Sequence, residues 1–134
     1  MAKSIDRVTG KGRAIKSFAG VPREVMRSND FKDLAYSSIF VLLWLAYQYK
    51  GKNNGDLSAT HTMAQEWGGM AKDTLSKSLK ELTDKGFIIK TRHGRFMNPN
   101  SCCDLYALTW APVDECRGKN LDVGWTRTPP RISW

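Results

Sequence analysis

The segment from Leu34 to Lys50 constrains the fold more than any other part of the chain. It contains no Pro or Gly, and Ala35, Ile39, Leu42, Ala46 and Tyr49 recur at helical spacing, with Val41, Leu43 and Leu45 widening the stripe. A helix apolar over most of its circumference must be wrapped by other elements, so the spacing predicts the centre of a core. Its longest apolar run, Ile39 to Tyr47, is nine residues, whereas a membrane-spanning helix needs about 20. A soluble protein with no membrane partner is therefore expected.

The remaining signals arrange themselves around that helix. The GKNNG sequence at Gly51–Gly55 is a turn, with Asn54-Gly55 suited to positive φ. Asp56 to Thr60 reads as a short extended piece. His61 to Trp67 reads as a short helix with Met63, Ala64 and Trp67 inward, capped by Thr60 or Thr62 and ended by Gly68-Gly69. A longer helix follows over about Lys72 to Lys85, with Leu75, Leu79 and Leu82 inward, small Ser78 beside them and Gly86 at the C-cap. Phe87 to His93 and Cys102 to Trp110 alternate as strands, separated by a loop at Gly94 to Asn100. The tail from Ala111 to Trp134, broken by Pro112, Pro129 and Pro130, is irregular. At 134 residues and 41% hydrophobic, the chain fits one domain with one core.

Charge is unevenly placed. Lys and Arg number 21 against 13 Asp and Glu, a net +8. Residues 1–28 carry +5 of it, through Lys3, Arg7, Lys11, Arg13, Lys16, Arg23 and Arg27 against Asp6 and Glu24. A flexible basic arm over residues 1–20 is expected, followed by a domain at 21–110 and a tail at 111–134 that packs on the domain or extends from it. The positive balance favours a polyanionic partner, nucleic acid first, and excludes an acidic mimic of DNA.

Chemistry is conspicuously thin. Cys102, Cys103 and Cys116 are odd in number and lack a C-x-x-C spacing, which points away from a disulfide framework and towards a reducing compartment. His61 and His93 stand far apart in sequence and do not join the cysteines at any metal-ligand spacing, so no metal and no other cofactor is expected. No G-x-S-x-G, phosphate-binding loop or H-E-x-x-H occurs, and the short helix has Glu66 as its only acid. The chain is not expected to be an enzyme.

A helix, a Gly turn, a second helix and a two-stranded hairpin follow one another over residues 33–110, and the second helix ends in LTDKGFI (Leu82–Ile88). In this order the chain resembles the winged-helix DNA-binding family, and YQYKGKNNGDLSAT and LYALTWAPVDEC resemble short winged-helix proteins of bacterial prophages and mobile elements, replication- or regulator-like. The resemblance implies an α+β fold: a winged helix-turn-helix, with a three-helix core and a β-hairpin wing, flanked by the basic N-terminal arm and the irregular C-terminal tail.

It also implies a nucleic-acid site. The second helix would enter the major groove. Lys72 and Lys77 would meet phosphate, Lys77 also guanine, and Thr74 and Ser76 would donate or accept. Asp73 would cap the helix or accept from a cytosine amino group, capping being favoured. Lys90, Arg92, His93 and Arg95 around the hairpin turn would reach phosphate or a narrow minor groove. Five phosphate contacts, by Lys72, Lys77, Lys90, Arg92 and Arg95, imply a slope of log affinity on log salt of about −4.5.

The leading expectation is double-stranded DNA binding in phage or mobile-element regulation or replication, in the cytoplasm and on the nucleoid of a bacterial host. The alternative is an anti-CRISPR-like inhibitor that uses the same platform to bind a host defence nucleoprotein complex. Its partner surface would be Trp125, Arg127 and Trp134 in the tail, since aromatic and Arg side chains dominate protein interfaces. Trp44, Trp67 and Trp110 are expected in the core. A homodimer is compatible with either.

Overall fold

The computed structural model of the chain describes residues 17–94 and 102–134. Most of the arm read at residues 1–20, and Arg95, lie outside them. Among the described residues the fold is α+β: five helices and a two-stranded antiparallel hairpin.

The first helices among the described residues are two short ones that periodicity did not reveal, α1 (Arg23–Arg27) and α2 (Asn29–Lys32). Pro22 fits the first of them because its fixed φ is already helical and no N–H is lost at a helix start. Ser28 joins the two. Its Oγ donates to the Val25 carbonyl at 2.6 Å and accepts from the Phe31 N–H at 3.2 Å, ending one helix and capping the next.

Helix α3 (Tyr36–Gln48) is the core helix, burying Ser38, Val41, Leu42, Trp44, Leu45 and Ala46. Leu43 departs from the expectation that it widens the buried stripe: it is 48% exposed. The reason is rotational, since Leu43 lies at i+7 from Tyr36 and shares the outward side of the helix with it. The N-cap Ala35 has no side chain to accept a hydrogen bond. Glu81 of another helix supplies the acceptor, taking the Ala35 N–H at 3.2 Å and the Ser38 hydroxyl at 2.5 Å.

Helix α4 (His61–Glu66) is capped by Thr60, whose side chain accepts from the Met63 N–H at 3.2 Å. Gly68 and Gly69, both at positive φ, stop it. Helix α5 (Lys72–Asp84) then packs on α3 through Leu75, Ser78 and Leu82. Small side chains let the two helices approach, and the Ser78 and Ser37 hydroxyls meet at 3.1 Å. At its end Gly86 turns left-handed at φ +82°, with the Phe87 N–H on the Leu82 carbonyl and the Gly86 N–H on the Thr83 carbonyl. That pair of bonds reverses the chain into the hairpin.

Strand β1 (Ile88–Arg92) pairs antiparallel with β2 (Leu105–Leu108), Ile88 opposite Leu108 and Lys90 opposite Tyr106, with a register shift between Lys90 and Arg92. Leu57 adds a one-residue rung on the other side of β2, exchanging backbone bonds with Tyr106 at 3.2 and 2.7 Å. The second strand is shorter than the reading from Cys102 to Trp110. Before Leu105, the Asp104 carboxylate turns to the Gly94 N–H and to Lys90, so the chain leaves the ladder.

The tail packs on the body without regular structure. Val113 is buried, and its backbone is held by Thr126. Asn54 ties this region together. It is fully buried, its Nδ2 donates to the carbonyls of Leu108, Ala111 and Pro112 at 2.9–3.1 Å, and its Oδ1 accepts from the Leu108 N–H at 2.7 Å. Asn54 is therefore a bridge into the core; the positive φ of this turn falls on Gly51 and Gly55. Gly55, at φ +125°, holds a backbone conformation that side chains rarely adopt, and a Cβ there would also crowd Leu121 at 3.2 Å.

Candidate nucleic-acid interface

Two elements form the candidate face, α5 and the hairpin beside it. A Gly turn leads from α4 into α5, and Gln65 fixes that turn by donating to the Met70 carbonyl at 3.0 Å. From α5, Lys72, Asp73, Ser76 and Lys77 stand exposed, while Thr74 is half-buried. Among the described residues neither Lys72 nor Lys77 lies within ion-pairing distance of a carboxylate. Asp73 does not cap the helix: Ala71 holds the N-cap position and no side chain accepts there. Its charge in the first turn still suits the positive end of the helix dipole.

The sequence reading missed Lys80, which is exposed on the same helix. Its ammonium meets Asp84 at 2.7 Å, an (i, i+4) pair readable from the spacing alone.

The hairpin differs from the free basic surface expected of it. Lys90 lies 3.2 Å from Asp104 and above the Tyr106 ring. Arg92 is engaged by backbone. Its guanidinium donates to the Cys103 carbonyl at 2.8 and 3.2 Å and to the Lys119 carbonyl at 2.9 Å. The register shift next to it turns Thr91 inward, where its hydroxyl donates to the Gly55 carbonyl at 2.6 Å. His93 is exposed, and its backbone N–H donates to Asp122 at 2.9 Å. Arg95 is not among the described residues.

Between α5 and the hairpin runs a groove of about 650 Å³, with Leu75 and Leu79 on one wall and Cys103 and Tyr106 on the other. Burial, with Asp104 and Cys103 adding to it, pushes the Tyr106 hydroxyl up to about 12. It therefore stays neutral at any working pH. Among the described residues no three His, Cys, Asp or Glu side chains gather to hold a metal ion, and no helix is long and apolar enough to cross a membrane.

The three tail residues separate. Trp125 is 54% exposed, with the Arg127 guanidinium 5.9 Å from its ring centre. Trp134 is not a free surface group. Its ring packs 5.4 Å from Phe87 and is covered by Arg131 at 3.8 Å. Arg131 is in turn held by the Lys85 carbonyl at 2.8 Å and by Asp30 at 3.1 Å.

No protein-family model, curated protein or solved structure matches the chain.

Proposed function

We propose that the chain is a winged-helix protein that binds duplex DNA, with α5 in the major groove and the hairpin against the neighbouring backbone. One observation carries the reading. The helix that follows the Gly turn presents Lys72, Ser76 and Lys77 to solvent, with both ammonium groups clear of carboxylates among the described residues. Such side chains suit phosphate positioning, and the net charge of +8 suits a polyanion. Regulation or replication in a phage or mobile element is the setting that the sequence resemblance suggests.

Engagement of Lys90 and Arg92 by the protein itself lowers the expected number of phosphate contacts. Lys72 and Lys77 alone give a salt slope of about −1.8, and about −2.7 with Arg95 as a third. Fluorescence anisotropy of a labelled duplex, titrated with salt, tests this. A flat titration, or no binding at low salt, overturns the reading.

A second reading rests on Trp125 and Arg127. An exposed tryptophan with an arginine beside it is the kind of pair that anchors protein interfaces. It supports a protein-binding inhibitor that meets a host nucleoprotein complex through the tail face.

A further inference from the structure

Helix α3 has a second face that the body of the protein leaves in water. Tyr36 is 90% exposed, Phe40 39%, Leu43 48% and Tyr47 60%. These four residues fall at steps of four, three and four, which keeps them on one side of the helix along about 16 Å. Two of the four, Phe40 and Tyr47, rest against Trp67. Trp67 lies 4.8 Å from the Tyr47 ring, 6.5 Å from Phe40 and stacks on buried Trp44 at 5.9 Å. The opposite side of α3, through Val41, Leu42 and Leu45, is fixed in the core.

We propose that this stripe is a homodimer interface, in which α3 of one copy crosses α3 of a second copy antiparallel about a two-fold axis. Three features select a second copy as the occupant. The first is the spacing, which reads the same in both directions. A two-fold interface needs residue i to meet j and j to meet i. About a midpoint between Val41 and Leu42, Tyr36 meets the partner's Tyr47 and Phe40 meets the partner's Leu43, each pair twice. The second is charge. The chain carries +8, so two copies repel, yet Tyr36 to Gln48 contains no Lys, Arg, His, Asp or Glu. This helix is a face on which like-charged copies can meet without juxtaposing charges. The third is size. At about 150–250 Å² per aromatic side chain, the stripe leaves on the order of 450 Å² of apolar surface in water. That is a large part of the roughly 800 Å² per partner that a stable interface buries, and the rim around Trp67 extends it.

The inference does not depend on DNA binding, and its test uses none. Sedimentation equilibrium of the full chain should give twice the 15.1 kDa of one copy. Leu43→Glu, at the middle of the stripe, should return it to one copy with unchanged far-ultraviolet circular dichroism. Tyr36→Glu and Tyr47→Lys should each weaken dimerisation about tenfold or more, because each change removes an aromatic side chain from both of the symmetric Tyr36–Tyr47 pairs and sets a charge there. Both suit their helix ends, Glu in the first turn and Lys in the last, so the fold is not at risk if Leu43→Glu unfolds. An equimolar mixture of the two should recover pairing, because an antiparallel crossing sets the new Glu against the partner's new Lys. A monomeric wild type, a Leu43→Glu chain that stays dimeric, or a mixture no better than its components overturns the proposal.

Discussion

Glu81 on α5 accepts the hydroxyl of Ser38 on α3 at 2.5 Å, and with it the Ala35 N–H that α3 cannot cap for itself. One carboxylate thus closes the start of the core helix and locks it to its neighbour. The Ser38 hydrogen bond, followed by the Ala35 N–H and Lys85, holds the Glu81 carboxyl below its usual range against the opposing effect of burial.

That arrangement fixes a pH dependence. A carboxyl with a depressed folded value stabilises the protein above its unfolded value of 4.5, and the contribution fades as pH falls through the folded value. Glu81→Ala should lower stability by about 1–2 kcal/mol at neutral pH. Glu81→Gln keeps an acceptor and should lose less, while flattening the acid limb below pH 4.5. Urea unfolding at several pH values measures both. An unchanged acid limb in Glu81→Gln would contradict the assignment.

The two amide protons of Asn54 are shared among three carbonyls and its oxygen takes one N–H, all at a buried position, so its removal leaves these groups short together. Asn54→Ala should cost about 3 kcal/mol, the scale of leaving buried polar groups unpaired. Asn54→Asp should be at least as damaging at neutral pH, because an oxygen would then face three carbonyl oxygens. Thermal melts would show it, and a shift of less than a degree for Asn54→Ala would rule out the bridging role.

Arg92 and Lys77 should behave differently, although both are basic residues of the candidate face. Arg92→Ala removes a brace between the hairpin and the tail and should cost about 1–2 kcal/mol of stability. Arg92→Lys should not restore it, since a single ammonium does not span two carbonyls as a planar guanidinium does. Loss of duplex affinity in Arg92→Ala without any loss of stability would place Arg92 on DNA after all.

Lys77→Ala should leave stability within about 0.5 kcal/mol and reduce the magnitude of the salt slope by about one. Trp125→Ala and Arg127→Ala should leave duplex binding intact. Assaying the three variants in a host separates the two functional readings. Full biological activity in Lys77→Ala, with loss in the tail variants, favours the inhibitor.

Much of the architecture was legible because it rests on local signals. The periodicity of α3 and α5, Thr60 as a cap, Gly86 as a stop and the β-branched run of β1 act within a few residues of themselves. α1 and α2, of five and four residues, are too short for any periodicity to register. The candidate site was legible only in part. That Lys72 and Lys77 are exposed follows from helical phase. That Arg92 is held by Cys103 and Lys119 depends on chain 11 and 27 residues away. Asn54 reaches partners more than 50 positions on, and Glu81 caps a helix 46 positions before it. Composition carries no trace of such pairings. Trp134 illustrates the same limit: the sequence left it either packed back on the domain or on a partner surface, and the structure packs it, partly buried, against Phe87 and Arg131.

The ion pair between Arg131 and Asp30 bridges 101 positions. Closing so long a loop costs more chain entropy than closing the shorter loops of the hairpin and the helix turns, so this contact is expected to follow them. On this account the Arg131–Asp30 contact forms after the main folding barrier has been crossed. An Arg131→Ala chain should reach its native signal at nearly the wild-type rate and then unfold faster, because a contact made after the transition state governs only the way out.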